Sequence, residues 1–377
     1  LGAALLPLGA ALLLLGAAAG AGSAPALAAT GSGTVRTIAA GLDNPRSLAF
    51  GPDGHLYVTE AGHGGTDCPA GAMSPEGQPV CFGPTGSLSR LSMGTVTRIA
   101  TGFASVANPQ GVGAEGLAGL TRAAGNWQVV MDLAPQLVTP GLTPADTRLA
   151  LDQFGRLIAV TDGGRFGALA NPGGADYTWS TTHHSYAPKD FPDANPFAVF
   201  YDGPRTWVLD AATNTLVAVE GAKVTPRAFF RNPPVGDAVP TCLAKGPDGA
   251  LYVGELTAAM NKPGSARIWR VWPNHNPVVW RTGFSNVSGC GFDRQGNFYA
   301  VELQTTAFNP GPTGDGRGAV IKVAPNGTRT TLGYGKLFFP QGFAVGSDGG
   351  IFVANWSVLP AKAAPGKPSG QVVKITP

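Results

Sequence analysis

Oxygen-bearing side chains recur in this chain at the ends of aromatic, strand-forming runs. Tyr57-Val58-Thr59 leads into Glu60, Tyr252-Val253-Gly254 into Glu255, and Tyr299-Ala300-Val301 into Glu302, while Asp132, Asp210 and Asn355 close looser versions of the same phrase. A second set, Asn44, Asn108, Asn195, Asp237, Asn286 and Gln341, opens each unit just ahead of its first apolar run. If each pair of runs is a hairpin, both sets fall at the same end of it and gather toward one rim. Carboxylate and amide oxygens in a ring suit a hard cation such as calcium. The candidate metal ligands are Glu60, Asn195, Asp210, Glu255, Asn286 and Glu302. An ion held there would polarise a carbonyl and lower the pKa of a bound water, which is the chemistry of a lactone or ester hydrolase. The competing expectation is structural, because Asn before Pro forms turns and an acid at a strand end can cap a loop.

Other constellations carry less. His183-His184 with Asp190 and Asp193 has transition-metal ligand types, but adjacent histidines on an extended strand point apart, so a polar insertion loop is the expectation. His63, Asp67 and Cys68 lie close together, yet a disulfide-bonded Cys68 cannot be a ligand. There is no Gly-x-Ser-x-Gly elbow and no phosphate-binding glycine loop. Trp269, Trp272, Trp280, Phe338, Phe339 and Trp356 are expected to pack between sheets rather than stack a sugar or pigment.

The elements that must position these residues repeat. Gly51-Pro52-Asp53-Gly54 and Gly246-Pro247-Asp248-Gly249 each open an aromatic strand, with looser copies from Asp293 to Glu302 and from Gly346 to Asn355. Asp-Gly between strand-forming runs is a strong hairpin signal, since tight hairpins need positive φ. Two more alternating runs follow in each unit, as in Gly86–Leu91 and Gly94–Phe103. Units begin near Asn44, Asn108, Asn195, Asp237, Ser285 and Phe339, and the last lacks a fourth strand. Gly33–Leu42 resembles Gly94–Phe103 almost residue for residue and has no sheet of its own. The expectation is an all-β, six-bladed propeller with four antiparallel strands per blade, closed by residues 33–42 completing the last blade. A seventh blade within Asp162–Asp193 is the main competing count.

The chain has 377 residues, a net charge of +3 and abundant Gly and Pro. No Lys/Arg run occurs, which argues against a nucleic-acid partner. Residues 1–29 are almost wholly Leu, Ala and Gly and end in Ala26-Leu27-Ala28-Ala29, the form of a secretory signal, leaving residues 33–377 as one domain with no membrane span after its removal; a membrane anchor is the alternative, since the stretch is long enough to span. Four cysteines in an exported chain suggest two disulfides. Cys68 and Cys81 flank a Gly/Pro-rich loop. Cys242 and Cys290 sit one residue out of phase in neighbouring repeats, so their side chains leave opposite faces of adjacent sheets, and a bridge is feasible; two buried thiols are the alternative.

Several stretches together carry a resemblance: Asn44-Pro45-Arg46-Ser47-Leu48-Ala49-Phe50 before the first Asp-Gly turn, the Cys68–Cys81 loop with Thr85-Gly86-Ser87 after it, Asn195-Pro196-Phe197, and Asp237–Thr241 leading into Gly246–Glu255. Over essentially the whole chain after residue 29, it resembles the ScyD/ScyE-like family of exported bacterial β-propeller proteins, related to the NHL and SMP-30 propellers. The resemblance implies export and a six-bladed propeller, and no settled activity. The rim pattern also invites comparison with regucalcin and gluconolactonase propellers, whose liganding motifs have no matching form here. The resulting expectation is a secreted or envelope-located scaffold that binds a small molecule or protein at one face of the channel. The alternative is a calcium-dependent lactone or ester hydrolase at the channel mouth.

Overall fold

The computed structural model describes residues 33–376, apart from 73–78, 93, 139, 188–189, 235, 258–261, 273–274, 307–315 and 363–367. The leader expected at residues 1–29 lies outside the described residues. Strand β1 (Thr34–Leu42) comes first, then β2 (Pro45–Phe50), β3 (Leu56–Glu60), β4 (Cys81–Ser92) and β5 (Thr95–Ala107). The second group is β6 (Leu117–Ala123), β7 (Asn126–Met131), α1 (Pro144–Gln153), β8 (Leu157–Val160) and β9 (Phe166–Ala170), with α2 (Pro172–Thr182) after it. The third is β10 (Pro196–Tyr201), β11 (Thr206–Asp210), β12 (Thr215–Glu220) and β13 (Lys223–Phe229). The fourth is β14 (Pro240–Lys245), β15 (Leu251–Glu255), β16 (Ala266–Val271) and β17 (Val278–Phe284). The fifth is β18 (Val287–Phe292), β19 (Phe298–Glu302), β20 (Arg317–Val323) and β21 (Arg329–Phe338). β22 (Gln341–Val345), β23 (Ile351–Asn355) and β24 (Gly370–Thr376) follow.

Each group forms a four-stranded antiparallel sheet in chain order, and β1 supplies the fourth strand of the last sheet, beside β24. The first strands of the sheets contact one another in a closed ring, β2 to β6, β10, β14, β18, β22 and back to β2. The fold is a six-bladed β-propeller. Residues 162–193 hold β9 and α2 rather than another blade. Helix α2 leads into the segment where a polar loop is expected: Pro172 sits in its first turn, the Asn171 side chain accepts from Gly174 N at 3.0 Å, and His183 is its C-cap, followed by one 3-10 turn at His184–Tyr186. Among the described residues no helix is long and apolar enough to cross a membrane.

The hairpins follow from local chemistry. Gly54, Gly249, Gly296 and Gly349 take φ between 76° and 84°, a region that favours glycine. The preceding acid then locks the turn to its strand: Tyr57 Oη donates to Asp53 at 2.8 Å and Tyr252 Oη to Asp248 at 2.9 Å. In the second blade, which lacks Asp-Gly, Ala124 and Gly125 supply the two positive φ values instead. The cores lie between blades, as where Phe103, Leu117, Trp127, Met131 and Phe154 pack between the first and second. Both cysteine pairs, Cys68–Cys81 and Cys242–Cys290, are disulfides. The second joins the inner strands β14 and β18 of neighbouring blades, as the out-of-phase spacing allows.

Candidate functional site: the entry face of the channel

The acids that end the second strands return to the loops that enter the first strands. Glu60 Oε2 accepts from Asp43 N at 2.7 Å, and Asp210 takes Asn195 N on both oxygens at 2.9 Å. Glu302 Oε1 accepts from Ser285 N at 2.8 Å, Asn355 Oδ1 from Phe338 N at 2.6 Å, and Asp132 Oδ2 more loosely from Gly116 N at 3.4 Å. The acid or amide is thus a latch. It holds a loop whose next residue, in three blades, has a left-handed backbone, with φ of 49° at Asn44, 47° at Asn286 and 45° at Phe339. Asparagine tolerates that conformation better than most residues.

The six expected ligands are all engaged by other groups of the protein. Glu60 also accepts from Ser87 Oγ, Ser89 Oγ and, at 2.7 Å, Arg98 Nη2. Glu255 departs from the pattern: it faces Arg267, whose Nη2 lies 2.7 Å from Oε1, and accepts from Trp269 Nε1 at 2.6 Å. Asn195 Oδ1 accepts from Leu133 N at 2.9 Å, and Asn286 Nδ2 donates to Gln304 O at 3.0 Å. Among the described residues, no three His, Cys, Asp or Glu side chains are arranged to hold a metal ion. With their oxygens turned to backbone N–H groups and to arginine, these side chains do not converge into a calcium shell. His183 stacks on Trp179, with ring centroids 4.0 Å apart.

Several of these acids are buried with little compensation. Burial pushes Glu302 up to about 8 and Asp132 up to about 7, the latter against the pull of Arg46. Asp193 is raised to about 7, by burial and then by Asp210, and Asp237 to about 6, again by burial. Asp176 and Asp210 are both raised by burial, and the charge of Asp210 adds to the shift at Asp176.

The channel itself holds Arg46, a residue outside the rim pattern. It is a cavity of about 140 Å³ lined by the six inner strands. Close approach around it depends on glycine: a Cβ on Gly342 would stand 2.4 Å from Arg46 O, and one on Gly289 2.8 Å from the Gly342 backbone. Into this ring β2 places Arg46, only 2% exposed. Its Nη1 donates to Gln341 Oε1 at 2.8 Å and its Nη2 to Ala114 O. Burial lowers the guanidinium from its ordinary value, and Asp132 and Glu115 oppose that shift. Arg46 Nε and Gln341 Nε2, both in the channel lining, are buried with no hydrogen-bond partner among the described residues. Buried polar groups are normally paired, so a pair of orphans is a place where a ligand or water finds partners. A signal for Arg46 was present: it occupies the register position held by Thr241, Ser288 and Gln341 in other blades.

No family model and no curated protein matches the sequence. Solved structures match in fold. A glucose-dehydrogenase-type oxidoreductase of Thermus thermophilus is 15% identical, with a TM-score of 0.51 over 92% of this chain and 100% of that one. Regucalcin of Agrobacterium tumefaciens, described as a calcium-binding protein, is 15% identical, with a TM-score of 0.50 over 93% of this chain and 95% of that one. A protein described as a gluconolactonase is 10% identical, with a TM-score of 0.50 over 92% and 93% of the two chains. At these identities the likeness shows the propeller fold.

Proposed function

We propose that the protein is an exported propeller of the ScyD/ScyE-like kind that binds a small polar ligand at the entry face, with Arg46 and Gln341 as principal contacts. The observation that carries this reading is the pair of orphaned donors in the channel lining, Arg46 Nε and Gln341 Nε2. A carboxyl or carboxamide group complements that pair. Because Asp132 and Glu115 already offset the guanidinium charge, the inserted group need not be ionised. A cavity of this size takes about six heavy atoms, so the rest of the ligand rests on the entry loops. Export is supported by the two disulfides, which persist in oxidising compartments.

The test is the melting temperature of the purified protein with gluconate, gluconolactone, lactate, glutamine and acetamide. A ligand at a hundred times its Kd adds about 2.7 kcal/mol to stability. The rise is expected to disappear in Arg46→Met and Gln341→Met; a rise unchanged in both removes the channel from the reading.

A calcium-dependent lactone or ester hydrolase is the second reading, supported by the fold shared with regucalcin and the gluconolactonase-type protein. It requires rim acids to leave their backbone partners for an ion. A calcium-specific rise in melting temperature that magnesium does not give, lost in Glu60→Gln, favours it over the binding reading.

A further inference from the structure

A larger cavity, about 660 Å³, lies away from the channel between the third and fourth blades. Its lining includes Tyr186 from the segment after α2, Phe229 at the end of β13, Arg231 and Asn232 beyond it, Trp269 of β16, and Asn276 before β17. That volume lies within the range of small-ligand sites.

The walls are built rather than incidental. Glu255, buried and ion-paired, anchors Arg267, which donates to Pro233 O at 2.9 Å and Arg231 O at 2.7 Å. The same guanidinium covers Trp269 at 4.6 Å. One buried pair therefore fixes both the loop and the indole. On the facing side, Tyr186 packs against Phe229 with centroids 4.8 Å apart and planes inclined by 47°. Tyr186 is 51% exposed.

The chemistry selects among ligands. Two rings at that inclination form a corner, not a parallel-walled slot, and a corner suits a puckered ring better than a flat one. Asn276 offers an amide donor and acceptor, and Asn232 offers its Nδ2, since its Oδ1 already accepts from Asn214 and Ala238. Amides match hydroxyl groups, which also donate and accept. Arg231 is the one side chain carrying a full charge in the lining. A guanidinium fork matches a carboxylate.

We propose that this cleft is a second binding site, for a short saccharide bearing carboxylates. One sugar ring packs in the Tyr186–Phe229 corner, hydroxyls meet Asn232 and Asn276, and a carboxylate meets Arg231. Glu255 and Arg267 are positioning residues for it.

Calorimetric titration with trimers of galacturonate, mannuronate and glucuronate tests this, with the methyl esters as neutral counterparts and naphthalene-2-carboxylate as a planar acid. At least one acidic trimer is expected to bind, its ester about tenfold more weakly. Tyr186→Ala is expected to weaken the trimer by about tenfold, and Arg231→Gln to bring acid and ester to the same affinity. Arg231 is exposed and Tyr186 half exposed, so both variants should still melt cooperatively, and Arg46→Met should leave trimer binding intact. The proposal is overturned if none of the three trimers binds, if Tyr186→Ala and Arg231→Gln bind as the parent does, or if the planar acid binds in preference.

Discussion

Glu302 ends β19 with 5% of its surface exposed, and among the described residues its carboxylate has one hydrogen bond, from Ser285 N. Arg329, the nearby cation, donates instead to Gly283 O at 2.8 Å and Thr282 O at 2.6 Å. Burial thus raises this acid from 4.5 to about 8. A carboxyl raised in the folded state contributes its full stability below about 4.5 and loses it as pH rises through about 8. At pH 7 the native group holds its proton while the unfolded chain has released it; at about 1.4 kcal/mol per pH unit the deficit is roughly 3 kcal/mol. Glutamine keeps the acceptor for Ser285 N and does not titrate. Glu302→Gln should therefore melt within about 1 °C of the parent at pH 4, about 4 °C above it at pH 7, and higher still at pH 9, taking an unfolding entropy of roughly 2 cal/mol/K per residue. The assay is a set of melting curves for both proteins across that range. A parent that gains on the variant as pH rises would refute the reasoning, because it would mean an ionised Glu302 held by Arg329.

Breaking the Glu255–Arg267 pair from one side, by Glu255→Gln or Arg267→Met, leaves the other partner buried and should cost about 3–5 kcal/mol in denaturant melts. The double replacement Glu255→Met with Arg267→Met should recover part of that loss. Cys242→Ser with Cys290→Ser opens a span of 48 residues and should cost about 4 kcal/mol, against about 3 for the 13-residue Cys68–Cys81 span, read as the two drops in denaturation midpoint. Gly342→Ala puts a Cβ 2.4 Å from Arg46 O at a φ of 62° and should lower stability by about 2 kcal/mol or more, with loss of any channel ligand.

The blades were legible because their signals are local. An Asp-Gly turn fixes a hairpin by itself, and the tyrosines at 57 and 252 that bond back to the turn acids are part of the same phrase. The rim was half legible. Acids at strand ends could be seen, but whether an oxygen points to the channel or back to its own loop depends on the backbone at Asn44, Asn286 and Phe339, which pattern does not disclose. Arg46 escaped notice because its neighbours in the inner strand are small or apolar, and its partners Gln341, Asp132 and Ala114 come from other blades. The two helices were missed for a different reason. α1 buries only Ala150 and Gln153, and α2 mostly glycine and polar residues, so neither carries an apolar stripe at helical spacing.

The pairing of β1 with β24 joins Thr34 to Thr376 and Leu42 to Gly370. A ring sealed in this way has a timetable. During synthesis β1 emerges first and waits, an unpaired edge, until Gly370–Thr376 has been made. Blades can form in turn behind it, but the circle shuts only in one late, long-range step, the kind of contact that folds slowly. Until then the chain presents two open sheet edges.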